Sequence, residues 1–176
     1  MGAVRITGGV ARSRVVEVPE RPGVRPTSAR VREALFSVVG QDLSGQTALD
    51  AFGGSGLLGF EAWSRGAAVT VVERDRATAA QVRRSALALG AVVVVVEGDV
   101  LTVAQTLGVF DGVMADPPYA APVVPVLEAL ARVTRRWLVL EAAASTAVPG
   151  VVGGLRRDKI RVFGASALHV FWADGG

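Results

Sequence analysis

From residue 47 to residue 142 the chain repeats one unit, an apolar strand-like run followed by a stretch of helical spacing. The runs are "TALDAF" (47–52), "AVTVVER" (68–74), "AVVVVVEGD" (91–99), "FDGVMAD" (110–116) and "RWLVLEA" (136–142). Helical patterns follow at Leu57 to Arg65, Ala77 to Leu89, a short segment near 102–107, and Val123 to Val133. Strands that alternate with helices pair in parallel, because parallel neighbours need a crossover connection. Strands that are apolar along their whole length belong in a sheet covered on both faces. Val92 to Val96, five valines in succession, are therefore expected inside. The tail differs: residues 156–163 and 166–173 flank Gly164 and Ala165, which predicts an antiparallel hairpin. The expected fold is α/β: a mostly parallel seven-stranded sheet, helices on both faces, and this C-terminal hairpin.

The N-terminus stands outside that repeat. Residues 4–7 and 14–18 read as short strands around Gly8 and Gly9, and "RPGVRP" as a loop. "TSARVREALFSVVG" reads as a helix capped by Thr27 or Ser28, with Val31, Leu35, Val38 and Val39 on one face and Gly40 at its end. We expect a small β-hairpin extension over 1–26 and a single globular domain over 27–176. The extension is rich in arginine. Residues 1–32 hold seven (5, 12, 14, 21, 25, 30 and 32) against two acids, Glu17 and Glu20. Arginine forks onto phosphate oxygens, so a nucleic-acid face is expected here.

Composition narrows the chemistry. The absence of cysteine excludes a disulfide framework and a thiolate metal site. A single histidine, His169, leaves no histidine cluster, and its place in the alternating strand "ALHVFWA" suggests packing or a surface position rather than catalysis. No metal is expected. No apolar run reaches membrane-spanning length, so a soluble cytoplasmic monomer is expected.

Ligands of open α/β sheets bind beyond the carboxyl ends of the strands, and the informative residues cluster there. "DAFGGSGLLG" places Gly54-x-Gly56-x-x-Gly59 after the first strand of the repeat, a spacing that lets backbone approach a ligand and turn into a helix. A tight strand-to-helix turn would leave the same trace. Glu73 ends the next strand, nineteen residues beyond Gly54, where a carboxylate can accept from both ribose hydroxyls. Asp99 could accept from an adenine amino group, or merely cap the following helix. In "ADPPY" the two prolines stiffen the exit from the strand. They hold the Asp116 side chain and the Pro117 carbonyl as acceptors, with Pro118 behind and Tyr119 offering a flat ring. Two acceptors and a ring suit an exocyclic amine on a planar base. Holding both N–H hydrogens favours a pyramidal nitrogen whose lone pair turns toward a methyl sulfonium, and Asp116 stabilises the charge that develops.

"DAFGGSGLLGFEAWSRGA", "VVERD" and "ADPPY" resemble the class I S-adenosylmethionine-dependent N-methyltransferases, which are Rossmann-like. "RITGGVARSRVVEVPERPGVRPTSARVREALF" is similar to the start of the bacterial enzymes that methylate N2 of guanine-966 in 16S ribosomal RNA. The likeness runs from about residue 4 to 173. It implies S-adenosylmethionine as cofactor, held by Asp50, Phe52, Gly53, Gly54, Ser55, Gly56, Glu73, Arg74, Asp99 and Val100. It implies that Asp116, Pro117, Pro118 and Tyr119 hold the target guanine. It also implies that Arg5, Arg12, Arg14, Arg25 and Arg30 contact RNA or order the site, within the small ribosomal subunit or an assembly intermediate. Gly53, Ala29 and Ser85 depart from the family's commoner Ala, acid and Asn. A DNA adenine-N6 or cytosine-N4 methyltransferase would also use "DPPY", and a nicotinamide or flavin oxidoreductase would also use the glycine loop. The first usually carries a further domain for reading duplex sequence, and the second gives "DPPY" no role.

Overall fold

The computed structural model describes residues 2–19 and 27–175. A two-stranded hairpin, β1 (Gly2–Arg5) and β2 (Val15–Val18), precedes helix α1 (Ala29–Val39). The repeat follows as β3 (Thr47–Asp50), α2 (Leu57–Ser64), β4 (Ala68–Glu73), α3 (Arg76–Leu89), β5 (Val93–Glu97) and α4 (Val100–Val103). It continues through β6 (Phe110–Ala115), α5 (Val123–Ala131) and β7 (Thr134–Ala143). The chain then adds β8 (Val151–Val152), β9 (Leu155–Phe163) and β10 (Ser166–Ala173). The sheet runs β5-β4-β3-β6-β7-β10-β9-β8. Pairing is parallel from β5 through β7 and antiparallel beyond, where the C-terminal hairpin joins. The two-residue β8 is an eighth strand that its length hid from sequence reading. Among the described residues no helix is long and apolar enough to cross a membrane.

Local chemistry explains the helix ends. Ser28 caps α1 by accepting from the Val31 N–H, and Asp75 caps α3 by accepting from Thr78. Gly90 ends α3 in the left-handed conformation at φ 70°. Two apolar layers lie on the two faces of the sheet. α1, α2 and α3 cover Met114, Val139, Leu168 and Val170 on one face. α4 and α5 cover Val113, Leu138, Leu140 and Phe171 on the other.

The valine run is a correction. Val92 is 84% exposed and Val94 60% exposed. β5 is the outermost strand, with β4 as its sole neighbour in the sheet. Val93 and Val95 turn toward the α1–α3 layer, while Val92 and Val94 face water. A continuous apolar run signals a strand buried on both faces only when neighbours and helices cover both, and an edge strand lacks that cover.

The chain order reverses at β3, which pairs with β4 on one side and β6 on the other. This switch point opens a crevice at the carboxyl ends of the strands. The glycine loop, Glu73 and Asp116 all lie there.

Candidate functional site

The crevice holds a cavity of about 160 Å³ lined by Asp50, Phe52, Gly53, Gly54, Ser55, Leu57, Leu58, Glu73, Thr78 and Asp116, and also by Val18, Pro19 and Thr27. The glycine loop and the DPPY carboxylate, which lie more than sixty residues apart in the chain, thus share one wall system.

The loop is built from local hydrogen bonds. Gly56 sits at the N-cap of α2 in the left-handed region, φ 76°, and a Cβ there would stand 2.8 Å from Val82. At Gly59 a Cβ would stand 2.8 Å from Val71, so glycine lets α2 pack close to the sheet. The Gly59 N–H donates to Asp50 Oδ2 at 2.9 Å. Glu73 spans the loop: Gly54 N–H donates to its Oε2 at 2.8 Å and Asp75 N–H to its Oε1 at 2.8 Å. Each carboxylate oxygen still has a lone pair for a ligand hydroxyl. Asp50 is 1% exposed and its Oδ1 is buried without a partner. Burial pushes the Asp50 carboxyl up to about 7, and the nearby Asp116 and Glu73 charges add to this.

The opposite wall is assembled from distant segments. Asp116 leaves β6 with one oxygen accepting from the Thr27 hydroxyl at 3.0 Å. Burial raises the Asp116 pKa, and the Thr27 hydrogen bond works against that rise. Thr27 is held in turn by Arg32, which is 1% exposed. Its guanidinium donates to the Thr27 carbonyl, to the Arg5 carbonyl at 2.9 Å and to Glu61 Oε1 at 2.8 Å. Glu61 is fully buried and also accepts from the Thr7 N–H at 2.9 Å and from Arg65 at 2.6 Å. Arg65 lies over the Phe36 ring, 4.0 Å from its centroid. One carboxylate between two guanidiniums therefore fastens the N-terminal hairpin to α1 and α2. Glu141, on β7 beside this wall, is pushed up to about 7 by burial and by the Asp116 charge. Its Oε2 is buried without a partner.

Several expected residues lie outside the cavity lining. Asp99 is exposed and caps α4, accepting from the Leu101 N–H at 2.8 Å, while Val100 is packed in the core. Arg74 is exposed. Pro117 is buried, Pro118 is exposed, and Tyr119 is 77% exposed at the mouth of the β6 exit. The arginines divide. Arg5, Arg12 and Arg14 are exposed on the hairpin, Arg14 donating to the Ala88 carbonyl at the end of α3 at 3.1 Å. Arg30 sits in the first turn of α1, 5.7 Å from the Phe163 ring centroid. Arg25 lies outside the described residues. Sequence reading missed Thr27 as a site residue, along with Arg32, Glu61 and Glu141. Arg32 and Glu61 carried a usable signal, a charge inside an otherwise apolar helical face.

A switch-point crevice with a glycine loop, an acid after the second strand of the repeat and DPPY after the fourth defines a class I methyltransferase fold. The chain belongs to the family described as "Conserved hypothetical protein 95", whose model it matches over residues 4–172. It is 41% identical over 121 residues to the "Ribosomal RNA small subunit methyltransferase D" of Escherichia coli (strain K12), across 67% of this chain and 61% of that protein. The corresponding Haemophilus influenzae protein is 38% identical over 125 residues, covering 67% of this chain and 65% of its own length. The chain thus spans less than two thirds of the length of these curated relatives. An Escherichia coli structure described as "Putative methyltransferase yhhF" superposes with a TM-score of 0.87 at 30% identity, over 99% of this chain and 100% of that one.

Proposed function

We propose that this chain transfers a methyl group from S-adenosylmethionine to the exocyclic N2 of a guanine in 16S ribosomal RNA, in the small subunit or an assembly intermediate. Guanine-966 is the position that the resemblance implies. One observation carries the choice of cofactor. Among the described residues, the charged groups lining the cavity are the carboxylates Asp50, Glu73 and Asp116. Such a lining attracts a cation and repels a pyrophosphate, which disfavours a nicotinamide or flavin dinucleotide. S-Adenosylmethionine fits this donor set and supplies, when bound, a methyl group on a positively charged sulfur.

The protein's own groups divide the work. Glu73 accepts from the ribose hydroxyls while its other lone pairs hold the loop. The unpartnered Asp50 Oδ1 takes a donor from the ligand's ammonium end, and a cation there draws the Asp50 pKa back down. Asp116 and the Pro117 carbonyl accept from the two N–H groups of the target amine, and the exposed Tyr119 ring stacks on the base. With the cofactor bound, the nitrogen lone pair would bond to the methyl carbon as the carbon–sulfur bond breaks and the neutral thioether leaves, and Asp116 would stabilise the positive charge passed to nitrogen. Asp116, its basicity raised by burial, then takes the surplus N–H proton. Residues 1–26 form an RNA-contact extension, with Arg5, Arg12, Arg14 and Arg25 on phosphates and Arg30 alongside.

The names of these relatives and the arginine-rich extension favour ribosomal RNA over DNA. The test is incubation with labelled S-adenosylmethionine and unmodified small-subunit particles, followed by mapping of the labelled nucleotide. Label on N2 of one guanine in 16S RNA is expected. Label on a ring nitrogen, or on duplex DNA alone, overturns the reading.

A further inference from the structure

Beyond Arg157, whose N–H donates to the Gly150 carbonyl at 2.8 Å, the outer edge of β9 has no strand partner among the described residues. β8 pairs only with Leu155 and Arg156, and Asp158 to Phe163 present a free edge among the described residues. Directly opposed residues in an antiparallel ladder share a face. The pairs Lys159–Val170, Arg161–Leu168 and Phe163–Ser166 therefore put Lys159, Arg161 and Phe163 on the face covered by α1. Lys159 and Arg161 are exposed, and Phe163 is partly exposed beneath the Arg30 guanidinium. Arg161 also reaches the Ser37 hydroxyl of α1 at 3.4 Å. The result is a stripe of three cations around one aromatic ring, extending about 13 Å along the strand. Its upper end adjoins the site: Ser166, opposite Phe163, pairs with Ala143 of β7, and Arg30 follows Thr27 by three residues.

We propose that the β9 edge, through Lys159, Arg161, Phe163 and Arg30, is a second docking track for single-stranded RNA flanking the target base. Charge selects this occupant. Cations in a row track phosphates, while a ring capped by a guanidinium offers a stacking platform for an unpaired base. The hairpin arginines lie toward the far ends of α2 and α3, where the Val10 N–H donates to the Ser64 carbonyl and Arg14 to the Ala88 carbonyl. The inference rests on RNA being the substrate class. Lysine and arginine also guard edge strands against self-pairing, but that role needs neither the Arg30–Phe163 stack nor alignment with the site.

The test uses the full chain with Lys159→Glu/Arg161→Glu, and separately Phe163→Ala, binding a protein-free 16S fragment that carries the unmodified target. Unfolding midpoints verify folding, and the milder Lys159→Ala/Arg161→Ala variant replaces the reversal if that fails to fold. We expect the charge reversal to weaken RNA binding at least tenfold. It should also lower the slope of log affinity against log salt by about 1.4–1.8, as two lost phosphate contacts require. S-Adenosylmethionine binding should not change. Unchanged RNA affinity and salt slope would overturn the proposal. So would a defect confined to protein-containing particles, which points to strand addition by a protein, or new self-association without an RNA defect, which points to edge guarding alone. Methylation of the proposed nucleotide by wild type, measured alongside, separates failure of this track from failure of the substrate assignment.

Discussion

On the glycine-loop side of the cavity, the two carboxylates are held by backbone N–H groups close by in sequence. Gly59 holds Asp50 across nine residues, and Gly54 and Asp75 hold Glu73 across nineteen and two. On the opposite side, Asp116 is held by a threonine hydroxyl 89 residues away. That threonine is fixed by Arg32, and Arg32 by Glu61, which sits in another helix. One wall is a local turn. The other is a chain of side chains that exists only when the hairpin, α1 and α2 are docked together. The first should survive substitutions elsewhere, and the second should fail from a distance.

The largest effect should come from Glu61→Ala. It leaves the Arg32 and Arg65 guanidiniums buried without their shared carboxylate, which costs about 3–5 kcal/mol. Urea unfolding should show that loss, and a loss below about 1 kcal/mol would mean the network is ornamental. Asp116→Ala comes next. Single-turnover transfer should fall by about 10²–10³-fold or more, with calorimetric S-adenosylmethionine affinity largely retained. An equal fall in cofactor affinity would merge the two walls into one unit.

Thr27→Val sharpens the comparison further. Loss of a hydrogen bond to a charged group should lower kcat by about 10–100-fold with little change in KM. The Thr27 bond lowers the Asp116 pKa, so its removal should move the acid limb of the pH–rate profile upward, and Thr27→Ser should restore it. An unmoved acid limb would deny Thr27 any hold on Asp116. The smallest effect belongs to the local wall. Asp50 is raised from 3.8 to about 7 in the folded state, so its stabilising contribution is complete below 3.8 and gone above about 7. Between pH 5 and 6 the ligand-free protein should therefore lose about 1.4 kcal/mol that Asp50→Asn does not. Parallel pH–stability curves for the two proteins would rule this out.

The same division separates what sequence reading reached from what it missed. Strand and helix alternation, the loop glycines and the proline-stiffened exit at Asp116 were legible because each is a periodicity or a backbone demand expressed within a few residues. The position of β5 was not legible, because five valines in a row describe a strand and say nothing about its neighbours. Asp99 carried two readings, cap and ligand; the fold shows the cap at α4 and leaves the carboxylate outside the cavity lining.

The sequence by itself determined the order of elements, the turn that can cradle a cofactor and the stiff carboxylate after β6, since these follow from steric limits and hydrophobic period along a short stretch. The tertiary structure alone decided which distant groups meet. Thr27 reached Asp116, Arg32 and Arg65 came to share Glu61, and Arg30 came to rest on Phe163, because docking α1 and the hairpin against one sheet face brings them together. Such encounters depend on long-range packing, which leaves no local pattern in the chain.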